Sequence, residues 1–259
     1  MVKIGSMNNP YEDVYKEITR IGKQKFDFVD LTLEPPKALG RGISVKKVKA
    51  LLARYGLGLV GHTAWHLPLN SPYDNIRKAA LEQFEKDLET FARLGSPTMN
   101  VHLQDVSPKY SVREAASWHI APLRKLVSKG RKLGIAIMLE HTNANQRQLN
   151  VLGRIMKNVP GLKFHLDIGH ANLESSRIKT AWLLKKFGKR LAHVHASDNF
   201  GGTLDMHLPI GLGNIDWKSN IRQLKKHGYD GTVTLEVFRG PKIGLAVSHK
   251  LFRKIWQDS

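Results

Sequence analysis

The sequence predicts an α/β protein folded as a single (β/α)8 TIM barrel, and three observations predict it. Strand and helix signals alternate along the whole chain, which implies a parallel sheet covered by helices. The 259 residues match the roughly 250 of a typical closed barrel. Successive strand segments end on His, Asp or Glu, where barrel enzymes carry their working residues. No linker or composition shift divides the chain, so residues 1–259 read as one domain.

The elements follow in order. "VKIGS" reads as the first strand, and Tyr11 to Ile21 as a helix with Val14, Ile18 and Ile21 on one face. "FDFVDLTLE" is the second strand, stopped by Pro35-Pro36, and Ser44 caps a helix carrying Val45, Val48, Leu51 and Leu52. "LGLVGH" is the third strand. The helix after Pro72 runs to about Leu94 with Ala80, Phe84, Leu88 and Phe91 inward. "TMNVHL" is the fourth strand, and Ser111 opens the next helix. "GIAIMLEH" is a continuous apolar run, as in strands buried on both faces. Gln146 to Lys157 is helical, "LKFHLDIGH" is the sixth strand, and Ser176 to Phe187 is helical. "LAHVHAS" is the seventh strand. A long loop follows, and Asp216 caps a helix ending at Gly228. "GTVTLEVF" is the eighth strand, and Ile243 to Trp256 closes the chain as a helix.

Composition narrows the chemistry. There is no cysteine, so disulfides and thiolate metal sites are excluded and any zinc must be held by nitrogen and oxygen. The start, "MVKIGSMNNP", has no apolar core of signal-peptide length, and no run approaches membrane-spanning length. The expectation is a cytoplasmic protein that does not engage a membrane. The formal charge of +19 admits an anionic partner such as nucleic acid or a phosphorylated sugar. Much of it sits in helical segments such as "VKKVK", "LLKKFGKR" and "QLKKHG", so a solvated basic exterior explains it equally well. Nothing in the sequence sets an oligomeric state.

The strand ends carry the chemistry. The third strand ends at His62, the fourth near His102, the fifth at Glu140 and the sixth at Asp167, with His170 just beyond. The seventh offers His195, then Asp205 and His207 in its loop, and the eighth ends at Glu236. Taken singly, each has an ordinary explanation: a strand-end His is often a satisfied core residue, and Asp favours helix caps. Together they point to divalent metal. A bare carboxylate at the end of an apolar strand is costly unless a cation balances it, and imidazole with carboxylate is a suitable ligand set. His165 and His193 share faces with Asp167 and His195 deeper in their strands, which suits them to orienting ligands from behind. His66, His119, His227 and His249 read as loop or helix-surface residues. Trp65 is a candidate stacking platform for a sugar or base.

These segments resemble a known family. "GHTAW", "NVHL", "LEHT", "LDIGH", "HVHASDN...DMH" and "LEVF" look like the xylose isomerase-like TIM barrels, which join sugar isomerases and epimerases with endonuclease IV. The resemblance runs over nearly the whole chain. It implies a four-ligand isomerase and epimerase site at Glu140, Asp167, His195 and Glu236. It equally implies the full three-zinc set of endonuclease IV. His62 and His102 would share a first metal with Glu140, which would bridge to a second held by Asp167, His195 and Glu236. His170, Asp205 and His207 would hold a third. The chain departs from both branches. After the second strand it reads "EPPKALGRG", with Arg41 but without the aromatic-bearing DNA loop of endonuclease IV. After His195 it reads "NFGG", without the substrate-binding Arg of ketose epimerases.

Two mechanisms follow from the resemblance. The first is a sugar or sugar-phosphate isomerase or epimerase using one to three divalent ions of Zn, Mn, Mg or Co. Glu140 and Glu236 would remove and return a proton, His170 would bind a substrate hydroxyl, and Lys37 or Arg239 would hold a phosphate. The second is zinc-dependent hydrolysis of abasic DNA, with Trp65 and Arg41 engaging the duplex. A non-catalytic barrel that binds an anionic partner by charge is the third reading, and the metal-ligand set disfavours it. The acidic end of "VDLTLEPP" and the phrasing "DMHLPIGLGNIDW" favour the first.

Overall fold

The structure, a computed structural model, describes residues 2–105, 107–241 and 243–259. Eight parallel strands close into a barrel: β1 (Lys3–Met7), β2 (Phe28–Leu33), β3 (Gly58–Thr63), β4 (Thr98–Leu103), β5 (Ala136–His141), β6 (Lys163–Asp167), β7 (Leu191–Ala196) and β8 (Thr232–Leu235). β8 pairs with β1 in parallel, Ile4 beside Val233, and this pairing removes both sheet edges. The helices are α1 (Val14–Lys23), α2 (Val45–Tyr55), α3 (Asp74–Leu94), α4 (Val112–Leu133), α5 (Gln146–Asn158), α6 (Thr180–Phe187), α7 (Trp217–Lys226) and α8 (Gly244–Asp258). Among the described residues no helix is long and apolar enough to cross a membrane.

Helix starts follow side-chain chemistry. Ser44, Asn145 and Asp216 accept backbone N–H groups of the first turns of α2, α5 and α7, satisfying donors that no carbonyl reaches. Ser111 and Glu114 form a reciprocal capping box on α4. Two starts differ from the sequence expectation. Asp13 accepts from Tyr15 and Lys16, so α1 begins at Val14 and Tyr11 stays in the loop. α6 begins at Thr180, because Lys179 donates its N–H back to the Ala171 carbonyl and Ser175 donates its hydroxyl to the Arg177 carbonyl. The backbone there is engaged in turns.

Period-two alternation divides each strand between two cores. One set of side chains, such as Leu31, Val101, Leu139 and Leu166, joins the large core under the helices. The other set fills the barrel in layers. Phe28, Val60 and Met138 form a small apolar plug near the strand starts. Gly5 makes room there: a Cβ would overlap the Phe28 ring. Beyond the plug the inward positions become polar, with Asp30, Asn100, His165, His193 and Thr234 all buried. Nearest the mouth come His62, His102, Glu140, Asp167, His195 and Glu236. Strand register sets His102 beside Glu140 and Asp167 beside His195, and Glu140 and His195 in turn beside His165 and Thr234 of the neighbouring strands.

Candidate metal centre

At the strand C-termini the side chains converge. Glu140, Asp167, His195 and Glu236 bring ligand atoms within 4.8 Å of one another. His195 Nδ1 lies 3.1 Å from Glu236 Oε2, 3.6 Å from Glu140 Oε1 and 3.9 Å from Asp167 Oδ2. Glu140 Oε1 and Asp167 Oδ2 are buried and without hydrogen-bond partners among the described residues. Three carboxylates around one imidazole, with orphaned oxygens between them, are a donor set that could hold a divalent cation. His62 and His102 turn Nε2 toward Glu140 Oε2 from 4.0 and 3.3 Å. His170, Asp205 and His207 form a further cluster, with Asp205 Oδ2 3.0 Å from His170 Nε2 and 2.8 Å from His207 Nε2.

The loop between β7 and α7 delivers Asp205 and His207. It is tied at its base by the buried carboxylate of Asp198, which accepts from the backbone of Asn199, Gly211 and Ile215 and from Trp217 Nε1. Asp198 and Leu208 also exchange backbone hydrogen bonds. His207 has φ of +46°, a conformation that costs a non-glycine residue energy and persists only where the surroundings enforce it. They do: Phe238 and Arg239 donate their N–H to the His207 carbonyl, and His207 Nδ1 lies 3.1 Å from the Glu236 carbonyl.

Charge at the centre is arranged by these neighbours. Burial opposes ionisation of Glu140, but the imidazoles of His165, His195 and His102 outweigh it and hold its carboxyl well below the ordinary range. Burial raises Asp167 to about 6, with Glu236 and Glu140 adding to it and His170 opposing. Burial disfavours charge on His195 and His207. The carboxylates beside them prevail, lifting His195 well above its ordinary value and His207 to about 9. Burial instead dominates at His102 and takes it down to about 3.

The remaining expected residues are distributed more widely. A cavity of about 950 Å³ stands over the cluster, lined by His62, His102, His170, Asp205, His207 and Glu236 and rimmed by Trp65, Phe238 and Arg239. Trp65 is 64% exposed. Arg41 sits on the short 3-10 turn Gly40–Gly42, and neither it nor Lys37 is among the lining residues. The structure corrects one of the peripheral histidines: His119 is fully buried in α4, with Nδ1 2.9 Å from the Ala115 carbonyl. Its face of α4 also carries the buried Ala115, Ala116 and Leu123. His249 is half-buried and stacks on Phe26 at 4.3 Å. Sequence reasoning missed Asp30 and Asn100. The signal for Asp30 was present, since a carboxylate amid the apolar run of β2 demands partners.

The family model for the xylose isomerase-like TIM barrel matches residues 18–255. The chain belongs to this family. Among its relatives, the ketose 3-epimerase of Arthrobacter globiformis is 25% identical over 265 residues, covering 96% of this chain and 86% of that protein. An uncharacterised protein of Methanocaldococcus jannaschii, MJ1311, is 29% identical over 87% of this chain and 79% of its own. Among solved structures of similar fold, a D-tagatose 3-epimerase-like protein superposes with a TM-score of 0.86 at 25% identity, covering 99% of this chain and 98% of that one. The apo 3-keto-D-glucoside 4-epimerase YcjR from E. coli has a TM-score of 0.80 at 21% identity, over 98% and 100% of the two chains. At that identity the likeness is one of fold.

Proposed function

We propose that this family member is a divalent-metal-dependent epimerase or isomerase of a small neutral ketose. The observation that carries the reading is the Glu140–Asp167–His195–Glu236 cluster beneath the cavity, with its orphaned carboxylate oxygens. Its similarity to the ketose 3-epimerase supports the reaction class. A divalent ion held by these four residues would polarise a substrate carbonyl and acidify the adjacent C–H. Glu140 and Glu236 come from β5 and from just past β8, three strands apart around the barrel. Both are held in the ionised form by neighbouring imidazoles, as a base must be. One carboxylate removes the proton from the carbon beside the carbonyl, and the other, once it has taken a proton from solvent, returns one to the opposite face. His170 and Arg239 bind substrate oxygens, and Trp65 stacks at the rim.

The cavity's own charge supports a neutral substrate despite the basic exterior. Its lining carries the carboxylates of Glu17, Glu34, Asp205 and Glu236. Of its arginines, Arg20 is locked to Glu17 at 2.8 Å, and Arg239 is exposed. One observation favours a second reading, three-ion hydrolysis of abasic DNA: His62 and His102 flank Glu140, and His170, Asp205 and His207 form an adjoining cluster.

The test is proton exchange. The protein is incubated with ketohexoses and ketopentoses in D2O with Mn2+, Co2+, Mg2+ or Zn2+, and NMR follows deuterium entering at the carbon beside the carbonyl as the epimer appears. Absence of exchange with every ketose and metal, together with incision at an abasic site, would transfer the assignment to the second reading.

A further inference from the structure

The layer beneath the candidate metal centre contains a carboxylate that no part of the proposed chemistry uses. Asp30, fully buried in the middle of β2, lies between β7 and β8 side chains inside the barrel. Its Oδ2 accepts the hydroxyl of Thr234 at 2.7 Å and lies 2.9 Å from His195 Nε2 and 3.3 Å from His193 Nε2. Its Oδ1 has no partner among the described residues. An ionised carboxylate accepts only, and burial without donors is costly, so the nitrogens facing Oδ2 are placed to donate. His195 then carries its proton on Nε2. In the neutral ring that leaves the lone pair on Nδ1, the nitrogen turned to Glu236, Glu140 and Asp167.

We propose that Asp30 is a positioning residue that fixes the tautomer and ring orientation of His195, so that Nδ1 is presented to a divalent cation. The inference rests on the reading of Glu140, Asp167, His195 and Glu236 as the metal site. Carboxylates behind ligating histidines serve this purpose generally: they fix the ring and raise the basicity of the ligating nitrogen. His193 completes the support. Its Nδ1 is 2.7 Å from Thr232 Oγ1 and its Nε2 3.0 Å from Thr234 Oγ1, which leaves Asp30 one strong imidazole partner, His195. The nitrogens of His165, His193 and His195 also gather within 4.8 Å of one another. Both nitrogens of His193 are occupied by hydroxyls and Asp30, so His193 is engaged in hydrogen bonds.

The experiment uses the full chain labelled with 15N-histidine, stripped by chelator and reloaded with Zn2+ alone. Long-range 15N–1H spectra report which nitrogen of His195 is protonated, and competition titration gives Zn2+ and Co2+ affinity for wild type, Asp30→Asn and Thr234→Val. The expected result is Nε2–H on His195 in the loaded wild type. Affinity should be about 10- to 100-fold weaker in Asp30→Asn and within a few-fold of wild type in Thr234→Val, which keeps the carboxylate. Proton on Nδ1 of His195, or wild-type affinity in folded Asp30→Asn, overturns the proposal. So does an equal loss in Thr234→Val, which would assign the effect to packing of the layer. Should Asp30→Asn fail to fold, the proton position in wild type decides alone. A wild type that binds neither metal overturns the metal-centre reading itself, an outcome distinct from metal binding that is indifferent to Asp30.

Discussion

Asn100 donates its side-chain amide to Glu140 Oε2 across 2.6 Å, and Asn100 Oδ1 lies 2.9 Å from His165 Nδ1. One oxygen of Glu140 is thereby held in place while the other, Oε1, stands unpartnered toward His195 and His170. The position is built to keep this carboxylate ionised and oriented.

Glu140→Gln follows from that pairing. The amide oxygen of the introduced glutamine can still accept from Asn100, so the fold survives, and its NH2 replaces the orphaned oxygen. Ketose proton exchange should fall by about 10²- to 10⁴-fold, the usual contribution of a positioned base. The metal-free melting temperature should fall at neutral pH, because the charge that His165, His195 and His102 hold on this carboxyl is gone. Retained exchange would refute the assignment of Glu140 as a base.

Asp205→Ala/His207→Ala should remove one bound metal and spare the others, as measured by elemental analysis after equilibration with Zn2+. The pair lies on a loop and groups with His170, apart from the four-residue cluster of Glu140, Asp167, His195 and Glu236. Unchanged metal content would assign Asp205 and His207 to substrate or structure.

Asp198→Ala should destabilise the fold by at least about 3 kcal/mol in urea titration. It leaves the N–H groups of Asn199, Gly211, Ile215 and Trp217 without their acceptor. The same change should lower metal content at Asp205 and His207, since Asp198 ties down the loop that bears them. A variant as stable as wild type would show that the loop is held by other contacts.

Asp87→Asn should stabilise the protein in a pH-dependent way. Asp87 is buried on α3, with Oδ2 unpartnered and Oδ1 accepting from Gln83 at 2.9 Å. Burial raises its pKa from 3.8 to about 7, with Gln83 and Lys86 only partly opposing. Between those values the folded chain holds the proton more tightly than the unfolded chain, so this group's contribution to stability declines as pH rises and reaches its full penalty above about pH 7. Asn keeps the Gln83 contact without the charge. The variant's advantage over wild type should be near zero at pH 4 and on the order of 2–4 kcal/mol at pH 8. A pH-independent difference would contradict the burial account.

Duplex DNA should bind weakly, with or without an abasic site, and be released by moderate salt, because contacts of a basic exterior act through counterion release. No incision is expected with Zn2+ or Mn2+. Specific incision lost on Trp65→Ala would overturn the sugar reading, since extrusion of a nucleotide needs a wedge and Trp65 is the exposed aromatic at the β3 end of the rim.

The barrel and the convergence of His62, His102, Glu140, Asp167, His195 and Glu236 were legible in the sequence for one physical reason. In a parallel strand followed by a helix, the last inward residue must reach the barrel mouth, so a titratable group there declares its own location. His170, Asp205 and His207 were legible only through the wording of their motifs. Their meeting depends on a loop whose path is set by Asp198 and by the pinned, left-handed His207.

The sequence by itself determined the eight strand–helix units, their order and the chemical character of the mouth, because these depend on local periodicity and on side chains a few residues apart. Tertiary structure alone decided what lies behind that mouth. Asp30 on β2 meets His195 on β7, 165 positions away, only because β8 closes onto β1 and brings strands from both ends of the chain together. It likewise set Arg41 apart from the cavity and buried His119 in α4. A polar group's partners inside a closed barrel are fixed by strand register across the sheet, and register is a property of the closed sheet that no single strand contains.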